Sequence, residues 1–279
     1  MKRSFALIGH PIIHSISPFI HNRLFEISKL PAHYKLIDIH PNNVSEHFFA
    51  LKQLSGYNIT IPLKQSIIPF LDSLSKKATL YGSVNTVKNS DKTYGYNTDS
   101  YGFLSALKAE NIPLCGNVTI LGCGGAARVF GMESLLNNCN VTFAVRQQSL
   151  AKANILLNDI KIKTKKSAKI TTIESLPNNI DFLINATPIG MYPDLQSIPV
   201  NESSLKNCKY VFDAIYNPMD TVLIKKAKSI GLKAISGLSM LVYQAVYAHK
   251  IWDNVTFCNN DIYQLIEDSK HELNSQFNY

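Results

Sequence analysis

Short apolar runs alternate with longer amphipathic ones along almost the whole chain. Phe5–Ile8, Tyr34–Ile39 and Tyr57–Ile61 are brief, rich in β-branched and aromatic residues, and read as strands. Pro18–Ser28 and Val44–Leu54 lie between them and read as helices. The first carries Ile20, Leu24 and Ile27 at i, i+4 and i+7, and Ser17-Pro18 supplies an ordinary start, with serine as N-cap and proline at the first position. Val84–Val87 and Thr93–Tyr96, split by Asn89-Ser90-Asp91, read as a hairpin. This part predicts an α/β domain whose sheet is mostly parallel with some antiparallel character.

The pattern then becomes more regular. A helix near Tyr101–Glu110 leads into strands at Val118–Leu121, Val141–Val145, Lys169–Ile173, Asp181–Asn185, Tyr210–Phe212 and Lys233–Ile235. Helical runs fall at Val129–Leu136, Ser149–Leu157 and Thr221–Ser229. Strands alternating with helices predict a doubly wound, Rossmann-type unit. The tail from Leu238 reads as helical and is expected to return to the first domain. The predicted division is residues 1–100 with 238–279 as one domain and 101–237 as the other.

The junction at Gly122-Cys123-Gly124-Gly125-Ala126-Ala127-Arg128 is the most specific local feature. Strand, glycine-rich turn and helix in that order set a pyrophosphate on a helix N-terminus. The first glycine permits the tight turn, Gly124 lets backbone approach the phosphates, and Ala127 is small enough for close helix–strand packing. A site for NAD usually ends its second strand with an acid. Here Phe143-Ala144-Val145 is followed by Arg146, which suits a 2′-phosphate and favours NADP over NAD.

Composition narrows the class. The chain has 279 residues, 46% hydrophobic and 17% charged, enough for one large or two ordinary cores. No apolar run is long enough for a membrane span, and the start at Met1-Lys2-Arg3 precedes too short an apolar run for a signal peptide. Cys115, Cys123, Cys139, Cys208 and Cys258 are scattered without a Cys-x-x-Cys pair, which predicts reduced thiols in the cytoplasm rather than disulfides or zinc. The net charge of +8 suits either nucleic acid or anionic small ligands. Lys161, Lys163, Lys165, Lys166 and Lys169 have no interleaved aromatics, so they read as a solvated face between two elements rather than a nucleic-acid surface.

Candidate chemistry concentrates before the glycine loop. Ser15 and Ser17 sit after a strand end and beside a helix N-terminus, a place that suits a substrate carboxylate. His10 and His14 are four apart, but Pro11 between them argues against a metal pair, and no metal is expected. In Asn58–Lys64, Asn58 and Thr60 share one strand face while Ile59 and Ile61 share the other. Lys64 then falls at or near a helix start, where the dipole disfavours a cation. It is either a surface lysine or one held for proton transfer or carbonyl polarisation. Asp99 either caps the next helix or orients Lys64. Gln244 is polar on the apolar stripe of Met240, Leu241, Ala245 and Ala248, and is either an edge residue or an amide reaching a ligand.

Taken in order, these segments resemble the shikimate dehydrogenase family over about residues 5–250. The resemblance rests on Ser15–Pro18, Asn58–Lys64, Gly82–Thr86, Asn97–Asp99, Gly122–Arg128, Asn185–Pro188, Asp213–Pro218 and Gly237–Gln244. It implies an NADP-dependent reduction of 3-dehydroshikimate to shikimate, a step of aromatic amino acid synthesis. It further implies that Ser15 and Ser17 hold the substrate carboxylate, and that Thr60, Asn85, Asp99 and Gln244 contact ring hydroxyls. Lys64 and Asp99 would be the catalytic pair, with Tyr216 beside the substrate. Gly122, Gly124, Gly125, Ala126, Ala127, Arg146, Thr187, Gly237 and Met240 would serve the cofactor. The sequence departs from the family where Leu150 replaces a common basic residue, with Lys152 as a partial substitute, and where Ser239 replaces a common glycine. The implied partner is a small molecule, with neither nucleic acid nor membrane, and the chain is expected to be a monomer or homodimer. Two alternatives stand: a quinate/shikimate dehydrogenase using NAD, and a dinucleotide-binding regulator without catalysis.

Overall fold

The computed structural model describes residues 3–277. Its contacts divide the chain into two units, one holding the residues up to Gly102 together with Val242 and the chain after it, the other Phe103–Leu241.

In the first unit the elements run β1 (Arg3–Gly9), α1 (Ser17–Ile27), β2 (Ala32–Asp38), α2 (Val44–Lys52), β3 (Gly56–Ile59), β4 (Ser73–Leu74), α3 (Lys76–Tyr81), β5 (Thr86–Asn89) and β6 (Thr93–Tyr96). They form a six-stranded sheet in the order β2-β1-β3-β5-β6-β4. β1 pairs in parallel with β2 and β3, while β5 is antiparallel to both β3 and β6. Strand β1 is buried on both faces. Ala6 and Ile8 join Ile39, Leu51, Tyr57 and Ile59 on one side, and Phe5 and Leu7 join Phe25, Tyr34 and Trp252 on the other. That alternation follows from the period-2 strand geometry. Each buried leucine, isoleucine or phenylalanine among them stabilises the fold by roughly 1.5–3 kcal/mol.

The chain continues with α4 (Asp99–Ala109), β7 (Asn117–Leu121), α5 (Gly125–Leu136), β8 (Asn140–Val145), α6 (Leu150–Thr164), β9 (Lys169–Thr172), β10 (Phe182–Asn185), α7 (Glu202–Leu205), β11 (Tyr210–Asp213), α8 (Val222–Ser229) and β12 (Lys233–Ser236). These strands form a parallel sheet in the order β12-β11-β10-β7-β8-β9. That is the Rossmann order, with the reversal between β7 and β10. Leu121, Leu183 and Val211 face Leu223 and Ile224 of α8, while Phe103, Phe130 and Phe212 pack ring against ring at 4.6–5.5 Å.

Helices α9 (Gly237–Asp253) and α10 (Asn259–Phe277) end the chain. The part of α9 beyond Val242 belongs to the first unit, where Trp252 Nε1 donates to the Val87 carbonyl at 2.9 Å.

Several expectations need correction. In α1 the buried stripe runs through Ser17, Ile20, His21, Leu24 and Phe25, leaving Ile27 only half-buried. Ile16 occupies the cap position, so Ser17 is the first helical residue rather than the N-cap. The hairpin begins at Thr86 rather than Val84. Helix α6 runs on to Thr164, so Lys161 and Lys163 lie in its last turn, where cations complement the dipole. Lys64 does not open a helix: residues 61–67 form successive turns.

Candidate active site

Ser15 and Ser17 follow the carboxyl end of β1. Ser15 Oγ accepts the Ser17 backbone N–H at 3.2 Å and donates to Ser17 Oγ at 3.0 Å. The first free N–H of α1 is thus met by Ser15, and two hydroxyls stand side by side at a helix N-terminus. Hydroxyl donors and a positive dipole end together favour an anion such as a carboxylate. Thr60 prolongs β3: its N–H donates to the Ile8 carbonyl at 2.9 Å, and the His10 N–H donates to the Ile61 carbonyl at 3.1 Å.

The turns after β3 place Lys64, whose carbonyl accepts the Val84 N–H at 2.8 Å. Its Nζ donates to Asp99 Oδ2 at 2.7 Å. Lys64 is 20% exposed and Asp99 8%, so the pair is shielded yet reachable. Asp99 is the first residue of α4 rather than the cap before it, and its own N–H donates to Asn97 Oδ1 at 3.1 Å. The Asp99 carboxylate is engaged by side chains: Oδ2 takes Lys64, and Oδ1 takes Asn85 Nδ2 at 2.7 Å.

Asn85 is buried and its amide orientation is fixed. The Thr98 backbone N–H, which can only donate, reaches Asn85 Oδ1 at 2.7 Å. Asn58 is oriented in the same way: Oδ1 accepts the Tyr34 hydroxyl at 2.8 Å, while Nδ2 donates to the Asn85 carbonyl at 3.1 Å and to Thr86 Oγ1 at 2.9 Å. Gln244, from α9, brings Oε1 to within 3.2 Å of Thr98 Oγ1 and 3.5 Å of Asn85 Nδ2. Lys64, Asn85, Asp99 and Gln244 are thus joined in one network, while Ser15 and Ser17 are bonded to each other.

The second unit holds the glycine loop. Gly122 ends the β7 ladder, its N–H donating to the Ala144 carbonyl at 2.9 Å. Its φ of +99° is a glycine conformation, and an added Cβ would lie 3.1 Å from Thr187 Cγ2 across the strand-order reversal. Gly124 and Gly125 differ, since a Cβ at either would meet nothing within 4 Å. The protein's own packing does not require their bareness. They leave the N-terminus of α5 open, since the N-cap residue Gly124 has no side chain to cap it. Unsatisfied N–H groups at a dipole's positive end, beside the reversal point of a Rossmann sheet, fit the diphosphate of a dinucleotide. Ala127 is buried in the first turn of α5 and Ala126 half-buried.

Arg146 is exposed at the end of β8. Arg128, inside α5, is instead paired with Asp159 of α6 and serves the fold. Thr187 is held through Asn185, whose Oδ1 accepts both its N–H at 3.0 Å and its hydroxyl at 2.7 Å. Asn185 donates in turn to Asp213 at 2.9 Å, and Asp213 accepts the Thr221 hydroxyl at 2.7 Å. Burial pushes the Asp213 carboxyl up to about 6 despite these bonds. The Gly237 N–H donates to the Ile215 carbonyl at 2.9 Å, and Tyr216 and Met240 are half-buried in this unit.

Comparison with known proteins agrees with this geometry. The model of a shikimate dehydrogenase substrate binding domain matches residues 7–87. A shikimate dehydrogenase (NADP(+)) of Methanocaldococcus jannaschii is 41% identical over 258 residues, covering 89% of this chain and 90% of that protein. The chain belongs to the shikimate dehydrogenase family. A crystal structure of a shikimate dehydrogenase in complex with NADP+ is similar with a TM-score of 0.89 and 38% identity, over 96% of both chains. The shikimate 5-dehydrogenase of Thermus thermophilus in complex with NADP(H) and shikimate gives 0.85 and 29%, over 96% of this chain and 99% of that one. In this family member, Asn58 and Thr98 belong to the network although sequence reasoning gave Thr98 no role. Its only signal was its place in the segment Asn97–Asp99, of which Asp99 alone had been given a role.

Proposed function

We propose that the chain catalyses the NADP-dependent, reversible reduction of 3-dehydroshikimate to shikimate in aromatic amino acid biosynthesis. The observation that carries this reading is the shielded Lys64–Asp99 pair, held at 2.7 Å within the Asn85 and Gln244 network. Ser15 and Ser17 bind the substrate carboxylate. Thr60, Asn85, Asp99 and Gln244 address the ring oxygens, with Tyr216 as a further substrate contact. The Lys64 ammonium donates a proton to the oxygen of the C3 carbonyl as it becomes an alkoxide, and takes the proton back when shikimate is oxidised. Asp99 keeps Lys64 in place through the 2.7 Å bond from Nζ to Oδ2.

NADP, when bound, supplies or accepts the hydride. Gly122, Gly124, Gly125, Ala126 and Ala127 would hold its diphosphate and Arg146 its 2′-phosphate, with Thr187, Gly237 and Met240 completing the site. The protein would act in the cytoplasm as a monomer or homodimer. Steady-state rates with shikimate and quinate, each with NADP+ and NAD+, test the reading. Shikimate with NADP+ should give the highest kcat/KM, and a preference for quinate with NAD+ would overturn it.

A further inference from the structure

Asp213 ends β11 and is fully buried. Every group bonded to its carboxylate is a neutral donor. Oδ1 accepts Asn185 Nδ2 at 2.9 Å and the Ile215 N–H at 3.1 Å, and Oδ2 accepts the Thr221 hydroxyl at 2.7 Å. The Thr187 backbone N–H fixes Asn185 Oδ1, which leaves Nδ2 toward Asp213, and Thr221 Oγ1 already accepts the Ile224 N–H at 3.2 Å. A proton on Oδ2 would reverse the bond to Thr221 and leave the Thr221 proton without its acceptor. The pattern therefore suits the ionised carboxylate, and among the described residues no cation is bonded to it. We infer that Asp213 serves the cofactor site as a fixed buried anion, favouring the cationic, oxidised nicotinamide over the neutral, reduced one. The inference rests on the NADP reading proposed above.

Placement is the first ground. On one side Asn185 holds Thr187 at both its N–H and its hydroxyl. On the other, the Ile215 carbonyl accepts the Gly237 N–H at 2.9 Å, and the Ala214 carbonyl leaves no room for a Cβ at Gly237. Thr187 and Gly237, both proposed above as cofactor residues, are thus each one bonded residue away from the Asp213 carboxylate. All of these groups sit at the carboxyl ends of β10, β11 and β12, where an open parallel sheet takes its ligand.

Charge is the second. The donors orient the carboxylate without cancelling its charge. Burial pushes the carboxyl up to about 6, so at neutral pH the site carries an anion whose ionisation the fold opposes. The ionisable groups of the neighbouring elements do not neutralise it. Lys225 and Lys228 of α8 and Lys233 of β12 are exposed. Lys228 is bonded to Asp220 at 2.8 Å, and Lys226 is paired with Glu202. Strand β10 carries no ionisable side chain. A charge held in the interior is weakly screened, and a nicotinamide ring differs by one positive charge between its two states, so the field discriminates between them.

The test measures the Kd of NADP+ and of NADPH separately, by calorimetry, for the wild type and for Asp213→Asn at pH 8. Asparagine keeps the shape and removes the charge. The ratio of the NADP+ Kd to the NADPH Kd should rise about threefold or more in the variant, whereas a role confined to the fold would weaken both cofactors alike. Repeated at pH 5.5, the wild-type ratio should move toward that of the variant, and the variant's ratio should stay constant. The 2′-phosphate is common to both cofactors, so its own titration cancels in the ratio. The wild-type pH comparison needs no variant and decides the matter if Asp213→Asn does not fold. If the wild type binds neither cofactor, the NADP reading falls and this inference falls with it. If both bind, but the ratio changes by less than about threefold in the variant or does not move with pH in the wild type, the role of Asp213 as an anion alone is overturned.

Discussion

Replacing Asp99 with asparagine keeps its size and removes its charge, and the network dictates the outcome. Both carboxylate oxygens accept at 2.7 Å, one from Lys64 and one from Asn85. Asparagine offers one acceptor and one NH2. If its oxygen faces Lys64, its NH2 meets Asn85 Nδ2, whose orientation is fixed; if it turns round, its NH2 meets the ammonium. Either way a charge-assisted bond is lost. Such bonds contribute about 1.5–3 kcal/mol. At about 1.4 kcal/mol per tenfold in rate, that is roughly 10- to 150-fold. Lys64 is 20% exposed, so water replaces part of the loss, and the lower part of the range, about 10- to 50-fold, is expected. Initial rates of NADPH formation at saturating shikimate should show this fall in kcat, with the NADP+ Kd unchanged because the proposed cofactor residues lie in the other unit. A kcat within about twofold of wild type, or a loss expressed only as weaker NADP+ binding, would refute the reasoning.

Arg146→Ala should raise the NADP+ KM about tenfold or more and leave the NAD+ KM nearly unchanged, since only the 2′-phosphate distinguishes the two; equal effects on both would remove the assignment. Gly124→Ala adds a Cβ into open space at a φ of −84°, so the Tm should hold while NADP+ affinity drops about tenfold, read by calorimetry. His21 and His249, 3.1 Å apart, are both buried, and burial depresses both imidazoles, His249 to about 3. The native state therefore excludes protons that the unfolded chain accepts below about 6.5, so stability present above that pH is lost as pH falls toward 3, by roughly 1 kcal/mol per pH unit for each histidine. Asp213, raised to about 6, acts with the opposite sign, its contribution being present at low pH and lost as pH rises toward 6. Denaturant melts between pH 4 and 8 should show a shallower acid slope for His21→Phe, and an unchanged slope would contradict the burial of a neutral pair.

The sequence exposed features whose cause is local. Gly122 to Ala127 between an apolar run and a helical run already implied a nucleotide loop, and the open space at Gly124 and Gly125 gives that implication a physical basis. Features set by distant partners were hidden. The helical run is expected to end at Leu157, yet Asp159 pairs with Arg128 and Lys163 and lies within α6, which continues to Thr164. β4 is two residues long and exists only by pairing with β6, which no local periodicity encodes. Lys64 and Asp99 are both candidates in the sequence, but their meeting depends on the turns after β3 and on β6 delivering Asp99 to the start of α4. Thr98 carries no signal of its own, because its burial and its bond to Asn85 are set by partners distant along the chain.

Lys64→Ala tests the central claim most directly, with NADPH formation from shikimate and NADP+ measured beside the wild type and NADP+ binding measured separately. The account predicts a kcat lower by about 10²- to 10⁴-fold, the range that a positioned proton donor contributes, with NADP+ affinity nearly unchanged. A variant turning over shikimate at close to the wild-type rate would contradict it.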